Sequence, residues 1–450
     1  MSIKRLVWEK RVSLQGRTLE YLDKLREWQW LSPEQITSLQ QERLYALLDH
    51  AYRHTSYYRQ LFEQHGLVTN QGEIKLDEFQ KLPFLNKEQI RTNYAQLTSD
   101  DLATRKWYEN TTGGSTGVAT RLILDRDYFA WNQAIKILDD EWTGRSLIDK
   151  QVRLWGLERS LMEGKERFRT RIGCWLRNER WLSCLRMTPD VMRSYIKEIN
   201  TFQPKQILAY VESLYELARF CELEKMVVHP PKAIMTSAGT LYPHMRKKLE
   251  QVFQAPVFNR YGSTEVGDMA CECERHKGLH VSSLTHFIEI IDRDGNPAKP
   301  GEIGEIVVTP LINYAMPFIR YRIGDMGRWS TASCDCGRGY PLLEEITGRV
   351  NDIFVDRKGR WIDGMLFLLL IDPRPFVKKF QVIQEKPDLV RVLIVPYPEH
   401  QVAYSLQEEI RQIKSQIRKV MECEVEVELC EQIDPTPSGK YRYTISQVPR

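Results

Sequence analysis

The stretch of residues 231–262 reads PKAIMTSAGTLYPHMRKKLEQVFQAPVFNRYG and decides the fold class. Two short apolar runs, AIMT and APVF, enclose the segment PHMRKKLEQVF, whose apolar residues recur near helical spacing. A strand, a helix and a second strand in this order are typical of sheets with helices packed on them. We therefore predict an α/β layered sheet.

The same alternation continues on both sides, over about residues 106–345. RLILD and KQILAY are strand-like and enclose helical VMRSYIKEINTF, whereas EIGEIVVTPL and FIRYRIGD indicate later, more antiparallel strands. Residues 17–65 are predicted to be helical. Within them, Ser32, Pro33 and Gln35 have the form of a capping box with proline at the first helical position.

Beyond residue 350 the pattern changes. FVKKFQVIQE and LVRVLIVP are strand-like, residues 405–421 have the period of an amphipathic helix, and CEVEVELC alternates at period two. This β-β-α-β order predicts a small α+β unit. We therefore expect two domains, a large N-terminal layered α/β domain over residues 1–349 and a small C-terminal α+β domain over residues 350–450.

Composition limits the class of protein. Hydrophobic residues make up 42% of the 450 positions, charged residues 28%, and the formal net charge is only +4, so neither a nucleic acid nor a membrane is expected as a partner. No run of 18 apolar residues occurs, and the N-terminal residues lack the unbroken apolar core of a signal peptide. The nine cysteines are an odd number, and four of them form two C-x-C pairs, which favours a reducing compartment. We expect a cytoplasmic protein.

A glycine-rich loop, TTGGSTG, occupies residues 111–117. Its three glycines let the backbone approach a ligand closely, while hydroxyls and exposed N–H groups suit phosphate oxygens. It lacks the lysine of a Walker A loop and the spacing of a dinucleotide fingerprint. The loop therefore predicts phosphate binding without naming an enzyme, and a flexible surface turn is the alternative.

A second cluster, NRYGSTE at residues 259–265, follows the strand-like APVF. An aromatic ring, a hydroxyl and a carboxylate at a strand end suit a stacked base, a phosphate and Mg²⁺, which prefers carboxylate oxygens. The alternative is a tight turn with a solvated glutamate.

Six pieces in order resemble the superfamily of adenylate-forming enzymes, and most closely the phenylacetate–CoA ligase family with its relatives in capsule and natural-product pathways. They are TTGGSTG (111–117), TSAGTLYP (236–243), NRYGSTEVG (259–267), NYAMPFIRYRIGD (313–325), ITGRVND (346–352) and PTPSGKYR (435–442). They spread over most of the chain from residue 110 to its end, and six ordered pieces are far more specific than any one of them.

The resemblance implies that ATP and Mg²⁺ convert a small carboxylic acid into an acyl-adenylate. Ser115 and Thr116 would hold the β- and γ-phosphates as pyrophosphate leaves. The other cofactor-binding positions of the same loop would be Thr112, Gly113, Gly114 and Gly117.

The resemblance also assigns the nucleotide contacts that follow strands. Gly239 would lie along the adenine, with Tyr261 stacked against it and Gly262 next in the chain. Thr264 would bind the α-phosphate and Glu265 the Mg²⁺.

Four further positions have roles implied in the same way. Asp325 would accept hydrogen bonds from both ribose hydroxyls, and Arg349 is expected near the ribose or phosphate. Asp352 matches the hinge about which the small domain moves, and Lys440 would bridge the α-phosphate and the attacking carboxylate. Each has a plain alternative: a turn cap for Asp325, a surface ion pair for Arg349 and a solvated charge for Lys440.

The substrate carboxylate itself attacks the α-phosphorus, so no protein nucleophile is required and catalysis reduces to placing two anions and stabilising charge. The acyl acceptor is left open between CoA, an amine, a hydroxyl and a carrier-protein thiol. Besides an acid–CoA ligase and an adenylating ligase with another acceptor, a non-catalytic nucleotide-binding scaffold is a third hypothesis. Intact Glu265, Asp325 and Lys440 count against the scaffold. The sequence does not indicate the oligomeric state.

The sequence departs from the family directly after the glycine-rich loop and at the expected acyl pocket. Trp155, Gly156, Tyr210 and Met235 are candidates to line it, although such residues are more often core. The usual lysine or proline shortly after the glycine-rich loop is replaced by VATR. Relatives often have a small Gly-, Pro- or Ser-containing turn after KQILAY, where this chain has AYVES at residues 209–213. The identity of the acid therefore stays open.

The C-x-C pairs suggest a structural zinc site. Cys271 and Cys273 are followed by His276 and His280, and a second pair, Cys334 and Cys336, lies well downstream. Thiolates and imidazole arriving in two short pieces suit a closed tetrahedral site. The resemblance favours Cys273, His280, Cys334 and Cys336 as the ligands, since some relatives have cysteine and histidine at those places. Cys271 and His276 are the spares, and free buried thiols are the alternative.

Overall fold

The protein is described by a computed structural model over residues 16–111, 120–156, 172–185, 187–349, 353–358, 360–372, 374–397, 404–434 and 441–448. The chain separates into two compact units. The first comprises Met1–Ile323 with Gly327–Ile346, and the second comprises Gly324–Met326 with Thr347–Arg450. No described helix has the length and apolarity that a membrane crossing requires.

Besides a helical segment at residues 172–176, the larger unit contains nine α-helices among its described residues. They are α1 (Thr18–Trp28), α2 (Pro33–His54), α3 (Ser56–Gln64), α4 (Lys87–Thr92), α5 (Tyr94–Leu97), α6 (Arg126–Trp142), α7 (Pro189–Phe202), α8 (Val211–Leu223) and α9 (Pro243–Phe253). Short 3₁₀ helices span Leu76–Lys81 and Leu102–Thr104.

Its strands begin with a two-stranded antiparallel pair and continue into one large sheet. They are β1 (Trp107–Thr111), β2 (Arg121–Asp125), β3 (Gln151–Trp155), β4 (Glu179–Ser183), β5 (Gln206–Tyr210), β6 (Ala233–Ser237), β7 (Val257–Ser263), β8 (Gly267–Glu272), β9 (Leu279–Val281), β10 (His286–Ile291), β11 (Gly304–Pro310), β12 (Tyr321–Trp329) and β13 (Leu342–Arg349). RLILD, predicted for the layered sheet, is β2 and pairs with β1 instead.

The large sheet has the strand order β10-β11-β12-β13-β9-β8-β7-β6-β5-β3-β4. Strands β4, β3, β5, β6 and β7 run parallel, and β7–β8 and β8–β9 are antiparallel. Strand β7 therefore joins a parallel half to an antiparallel half. A register shift, the mark of a β-bulge, falls between Tyr261 and Gly262 in the β7–β8 ladder.

The predicted helical region near the N-terminus is confirmed as three helices. The Ser32 hydroxyl accepts a hydrogen bond from the Gln35 backbone N–H (3.3 Å), and Gln35 Oε1 accepts one from the Ser32 N–H (3.0 Å), so the predicted capping box is present. Thr55 is extended and its hydroxyl caps α3, which separates α3 from α2. The helical pattern is therefore continuous in sequence but interrupted at two caps.

Helices pack on both faces of the parallel strands, since Ile207 and the adjacent Leu208 of β5 belong to different core clusters. Leu214 of α8 and Leu249 of α9 are buried with Ile207 of β5 in one core cluster. Trp131 of α6 stacks on Tyr21 of α1 at a ring distance of 3.9 Å in another. These clusters fix the parallel strands, and hence the loops at their carboxyl ends.

The smaller unit follows the predicted β-β-α-β order after a short lead-in. Its described elements are β14 (Ile353–Val355), β15 (Trp361–Asp363), α10 (Met365–Ile371), β16 (Val377–Lys386), β17 (Leu389–Pro396), α11 (Tyr404–Met421), β18 (Glu424–Leu429) and β19 (Thr444–Ser446). Its four-stranded sheet has the order β18-β17-β16-β19. The predicted fold class, layered α/β followed by a small α+β unit, is confirmed.

Candidate active site

The second motif of the sequence forms the turn between β7 and β8. Residues 264–266 make the turn, and the Ser263 hydroxyl accepts hydrogen bonds from the N–H groups of Glu265 (3.2 Å) and Val266 (3.4 Å). Gly267 then adopts φ +85°, a conformation that favours glycine. Thr264 is exposed, whereas Glu265 is only 8% exposed. The turn is therefore tight, but its glutamate is not solvated.

Lys87 provides the charge that Glu265 needs in this buried position. Its ammonium lies 2.9 Å from Glu265 Oε1. Burial raises the pKa of Glu265, but the attraction and hydrogen bond of Lys87 outweigh it, so the pKa is held below its usual value. A buried, ionised carboxylate at the end of a strand fits the donor type that Mg²⁺ takes.

Sequence reasoning missed Lys87, which is far from Glu265 along the chain. It is the first residue of α4, directly after Asn86, whose side chain and that of Gln89 form a capping box. A cation at the amino end of a helix is disfavoured by the helix dipole. That unfavourable placement is the one local signal that Lys87 has a partner elsewhere.

The motif after β6 forms a strained turn beside the same sheet edge. Ala238 has φ +67°, which side chains rarely adopt. At Gly239 an added Cβ would overlap both carboxylate oxygens of Glu212, at the start of α8, with Oε2 at 2.5 Å. At Gly262 an added Cβ would lie 2.6 Å from Asp268 Oδ1. The backbone carbonyl of Gly267, at 2.7 Å, also excludes a side chain at position 262, whereas at Gly239 the obstacle is the end of a flexible side chain.

The remaining residues predicted to bind the nucleotide lie either in strands of the large sheet or outside the described residues. Tyr261 is in β7, only 8% exposed, and packs in a core cluster. Asp325 is a partly buried residue of β12, and Arg349 ends β13. The other predicted positions lie outside the described residues, and their roles stay predictions: Thr112, Gly113, Gly114, Ser115, Thr116, Gly117, Asp352 and Lys440.

The candidate acyl residues divide into two groups. Trp155, at the end of β3, lies 4.2 Å from Tyr210, at the end of β5, measured between ring centroids. Gly156 follows Trp155, and its backbone hydrogen-bonds the Tyr210 hydroxyl. Met235, in contrast, is fully buried within β6 among core residues. Trp155, Gly156 and Tyr210 are together at the strand ends, and Met235 belongs to the core.

The four preferred zinc ligands come together in the structure. One ligand atom from each of Cys273, His280, Cys334 and Cys336 lies within 4.8 Å of all the others. The Cys273 and Cys334 sulfurs are 3.6 Å apart, and Cys336 Sγ is 3.3 Å from His280 Nε2. Zn–S bonds of about 2.3 Å in a tetrahedron place two sulfurs roughly 3.7 Å apart. The donor types and these two distances therefore fit a tetrahedral zinc site.

Hydrogen bonds around the cluster orient its donors. His280 Nδ1 lies 3.3 Å from the carbonyl of Tyr340, which leaves Nε2 facing the thiols. The backbone N–H groups of Arg275 and Arg338 donate to the sulfurs of Cys273 and Cys336, each at 3.4 Å. These bonds favour a thiolate over a thiol, because a charged acceptor takes the stronger hydrogen bond.

The two spare residues lie outside this cluster. His276 Nδ1 is 3.1 Å from Glu272, and the Cys271 thiol is buried against the Glu272 carbonyl at 3.5 Å. Burial lowers the pKa of His280 to about 4, so its imidazole is neutral near neutral pH.

Sequence comparison identifies relatives of the chain. Residues 355–447 match the CapK C-terminal domain. Over 92% of its length the chain is 24% identical to protein CapK of Staphylococcus aureus, covering 90% of that protein. It is also 26% identical to the phenylacetate–coenzyme A ligase of Thermus thermophilus, over 74% of each chain. The chain is a homologue of CapK and of phenylacetate–coenzyme A ligases.

Solved structures agree on the fold. The chain is similar to 2-hydroxyisobutyryl-CoA ligase in the postadenylation state, with a TM-score of 0.72, 20% identity, and 94% of this chain and 91% of the other covered. It is also similar to the anthranilate CoA ligase AuaEII, with a TM-score of 0.54, 17% identity, and 74% and 65% covered. The predicted resemblance to adenylate-forming enzymes is confirmed, and so is the enzyme class of acid–CoA ligases and related adenylate-forming ligases.

Proposed function

We propose that the protein uses ATP and Mg²⁺ to convert a small carboxylic acid into an acyl-adenylate, and then transfers the acyl group to the thiol of CoA. In the first step a carboxylate oxygen bonds to the α-phosphorus, and the bond between the α- and β-phosphates breaks to release pyrophosphate. In the second step the thiol sulfur bonds to the acyl carbon, AMP leaves, and the thiol proton passes to solvent.

One observation carries the proposal most strongly, the buried and ionised carboxylate of Glu265 at the end of β7. A solvated turn glutamate needs no ion partner, whereas Glu265 is held by Lys87 at 2.9 Å. Similarity to phenylacetate–coenzyme A ligases over 74% of the chain also supports the proposal.

The residues of the chain bind and orient the reactants. Glu265 would hold the Mg²⁺, which neutralises phosphate charge when bound. Thr264, exposed beside it, would bind the α-phosphate through its hydroxyl. Lys440, which lies outside the described residues, is proposed to bridge the two reacting anions. The tight turn keeps Thr264 and Glu265 in fixed relation, which supplies the positioning that this chemistry needs.

CoA is the acceptor that the homologues support best. The solved 2-hydroxyisobutyryl-CoA ligase has also been captured with 2-HIB-AMP and CoA in the thioesterification state, and this chain is similar to it over 94% of its length with a TM-score of 0.58. An amine, hydroxyl or carrier-protein acceptor is the second candidate, because the amide bond synthetase McbA has a similar fold, with a TM-score of 0.51.

Pyrophosphate release with a panel of carboxylic acids tests the first step. We expect release that depends on acid, ATP and Mg²⁺ together. Adding CoA and searching by mass spectrometry for acyl-CoA tests the second. Acid-dependent pyrophosphate without acyl-CoA would reject CoA while keeping adenylation, and no pyrophosphate with any acid would favour the scaffold.

We further propose that Cys273, His280, Cys334 and Cys336 hold one structural Zn²⁺ in a closed four-ligand site. The distances and hydrogen bonds around the cluster support this assignment. Bound zinc would tie the β8–β9 connection to the segment before β13, and so brace the strand next to the Glu265 turn. We also propose a cytoplasmic location, where the nine free cysteines stay reduced.

A further inference from the structure

The β7–β8 hairpin, which contains the Glu265 turn, has two different faces. Tyr261 and its cross-strand partner Ala270 belong to one core cluster, whereas Cys271, the next residue of β8, belongs to the cluster that contains α6. Successive side chains of a strand point to opposite faces, so Arg260, the cross-strand partner of Cys271, lies on the α6 side. The adenine is proposed to stack on Tyr261, which leaves the α6 side for the acid that reacts at the turn.

Side chains of α6 line this face in a row that begins beside the turn. The Tyr128 hydroxyl lies 3.0 Å from the position of a Cβ on Gly267, and Asn132 Oδ1 accepts a hydrogen bond from the Asp268 N–H (3.0 Å). The ammonium of Lys136 lies 3.9 Å from Asp268 Oδ2. These three α6 residues are four positions apart, so the row advances about 6 Å per step along one face of the helix.

The Lys136 ammonium lies in a recess. Its side chain is 36% exposed, yet burial lowers its pKa, as expected of a cation that solvent reaches but protein surrounds. Within the part of the chain that the structure describes, no residue accepts a hydrogen bond from it. An ammonium has three donors, so an anionic oxygen can bind to it without displacing an existing hydrogen bond.

The nearest carboxylate, Asp268, is shared between two cations. Its Oδ2 lies 3.7 Å from Arg260 Nη1 and 3.9 Å from Lys136 Nζ, and it has no hydrogen-bond partner. The Arg260 side chain is only 7% exposed and is the nearer of the two cations. Asp268 therefore leaves the charge of Lys136 only partly balanced.

Two further ionisable groups act on Lys136. Asp139, on the same helix, is 2% exposed, and burial raises its pKa well above the ordinary value, which favours its uncharged form. Arg153 of β3 helps to lower the pKa of Lys136, and Arg153 has its own counterion in Glu179 at 3.1 Å. Neither group neutralises the lysine, so the recess attracts an anion.

We infer that Lys136 binds a second anionic group of the substrate. The acid would then be a dicarboxylic acid, or a similar acid with an anion at its far end. This inference rests on the proposed adenylation. A plain apolar acid would remove water from the ammonium without returning a hydrogen bond, which is unfavourable. A distal carboxylate would instead accept a charge-assisted hydrogen bond.

A structural role of Lys136, as a partner of Asp268, must be separated from selection. Loss of such a partner changes the stability of the protein, but it acts equally on an acid with a distal carboxylate and on the matched plain acid. The ratio of their kcat/KM values within one variant is therefore the readout, because any loss of folded protein cancels in it.

The experiment measures kcat/KM for pyrophosphate release with butanoate, hexanoate and phenylacetate, each compared with forms that carry a carboxylate or an amine at the far end. On the most active skeleton, we expect the diacid to exceed the plain acid by about 10- to 100-fold, the range of a hydrogen bond to a charged group. Lys136→Met should abolish that advantage, because methionine lacks the charge. Lys136→Arg keeps a cation and should retain part of it.

Lys24→Met is the control. Lys24 is 41% exposed, and its ammonium lies 3.0 Å from Glu20 on α1, so its substitution should leave the ratio at the wild-type value. A diacid no better than the plain acid, or an advantage that survives in Lys136→Met, overturns the assignment while adenylation stands. A preference for the amine overturns it too, and would assign selection to Asp268 instead. Absence of acid-dependent pyrophosphate release with every acid would reject the proposed function, and this inference with it.

Discussion

At the residue scale, Glu265 is an anion that the fold keeps charged in a place where burial alone would favour the neutral acid. Lys87 lies at its oxygen and is itself largely buried, with 29% of its side chain exposed. The pair prepares a site of fixed charge before any ligand arrives. Two substitutions separate the contribution of each partner.

Glu265→Gln removes the charge but keeps the shape. We expect the Mg²⁺ concentration for half-maximal pyrophosphate release to rise by at least about 10- to 100-fold, because an amide is a much weaker ligand for a hard cation. A magnesium titration of the initial rate measures the change. Glu73→Gln, at an exposed position, should follow the wild type. An unchanged magnesium dependence would contradict the metal role of Glu265.

Lys87→Met leaves Glu265 buried without its partner. The lowered pKa of Glu265 contributes stability that is present above its ordinary value of 4.5 and is lost as the pH falls through the folded-state pKa. The variant should therefore lose about 1–3 kcal/mol of unfolding free energy near pH 7, and less near pH 4.

Urea unfolding of Lys87→Met at both pH values measures this difference. Lys81→Met is the control, since Lys81 is 65% exposed and pairs with Glu78 on the surface. A loss that is the same at both pH values would show that Lys87 acts through packing rather than charge.

At the scale of elements, local pattern predicted much of the fold. The capping box at Ser32 was readable because its two partners are three residues apart. The strands 206–210, 233–237 and 257–263 were readable because apolar runs with turn residues mark buried strands. The predicted helix over 405–421 is present as Tyr404–Met421.

Pairing was less predictable than the elements themselves. RLILD has the pattern of a buried strand, but the sequence does not state that its partner is β1 rather than the large sheet. Lys87 and Glu212 illustrate the same limit at the site. Lys87 contacts Glu265, and Glu212 approaches Gly239, only after distant segments have folded together. No local spacing encodes such a contact.

A zinc site was predicted from the local spacing of the C-x-C pairs, whereas the choice of its four ligands rested on the resemblance to relatives. The metal itself can be tested. Elemental analysis of the purified protein should find about one zinc per chain. Cys334→Ser should lower the zinc content and the thermal midpoint together, because a bound metal contributes to folding.

Cys271→Ser is the matched control for Cys334→Ser. Its thiol is one of the C-x-C cysteines but lies outside the cluster, so zinc should be retained even if burial of the hydroxyl costs some stability. Zinc lost from Cys271→Ser and kept in Cys334→Ser would reject the ligand set.

At the scale of the whole molecule, the two compact units divide the proposed work. The larger unit contains Gly239, Thr264 and Glu265, whereas Lys440 is in the chain of the smaller one. In the resembled family the small domain turns about a hinge, here Asp352, and we propose the same. In that proposal the larger unit binds the reactants, and the smaller unit supplies the cation of Lys440.

Lys440→Ala tests this division. We expect acyl-adenylate formation to fall by about 100-fold or more while ATP affinity changes little, since the lysine acts chiefly on the transition state. Single-turnover pyrophosphate release and equilibrium nucleotide binding measure the two quantities. Lys358→Ala, an exposed lysine of the same unit paired with Glu422, is the control. Parallel losses of binding and chemistry would contradict the assignment.

The β-bulge between Tyr261 and Gly262 has a consequence for how the chain can vary. Neighbouring side chains of a strand point to opposite faces, so a slip of one position along β7 would carry Glu265 away from Lys87 while leaving every backbone pairing satisfiable. Because β7 and β8 are mostly buried, insertions or deletions in this hairpin should disrupt the core as well as the Lys87–Glu265 pair, and length variation should be confined to other turns.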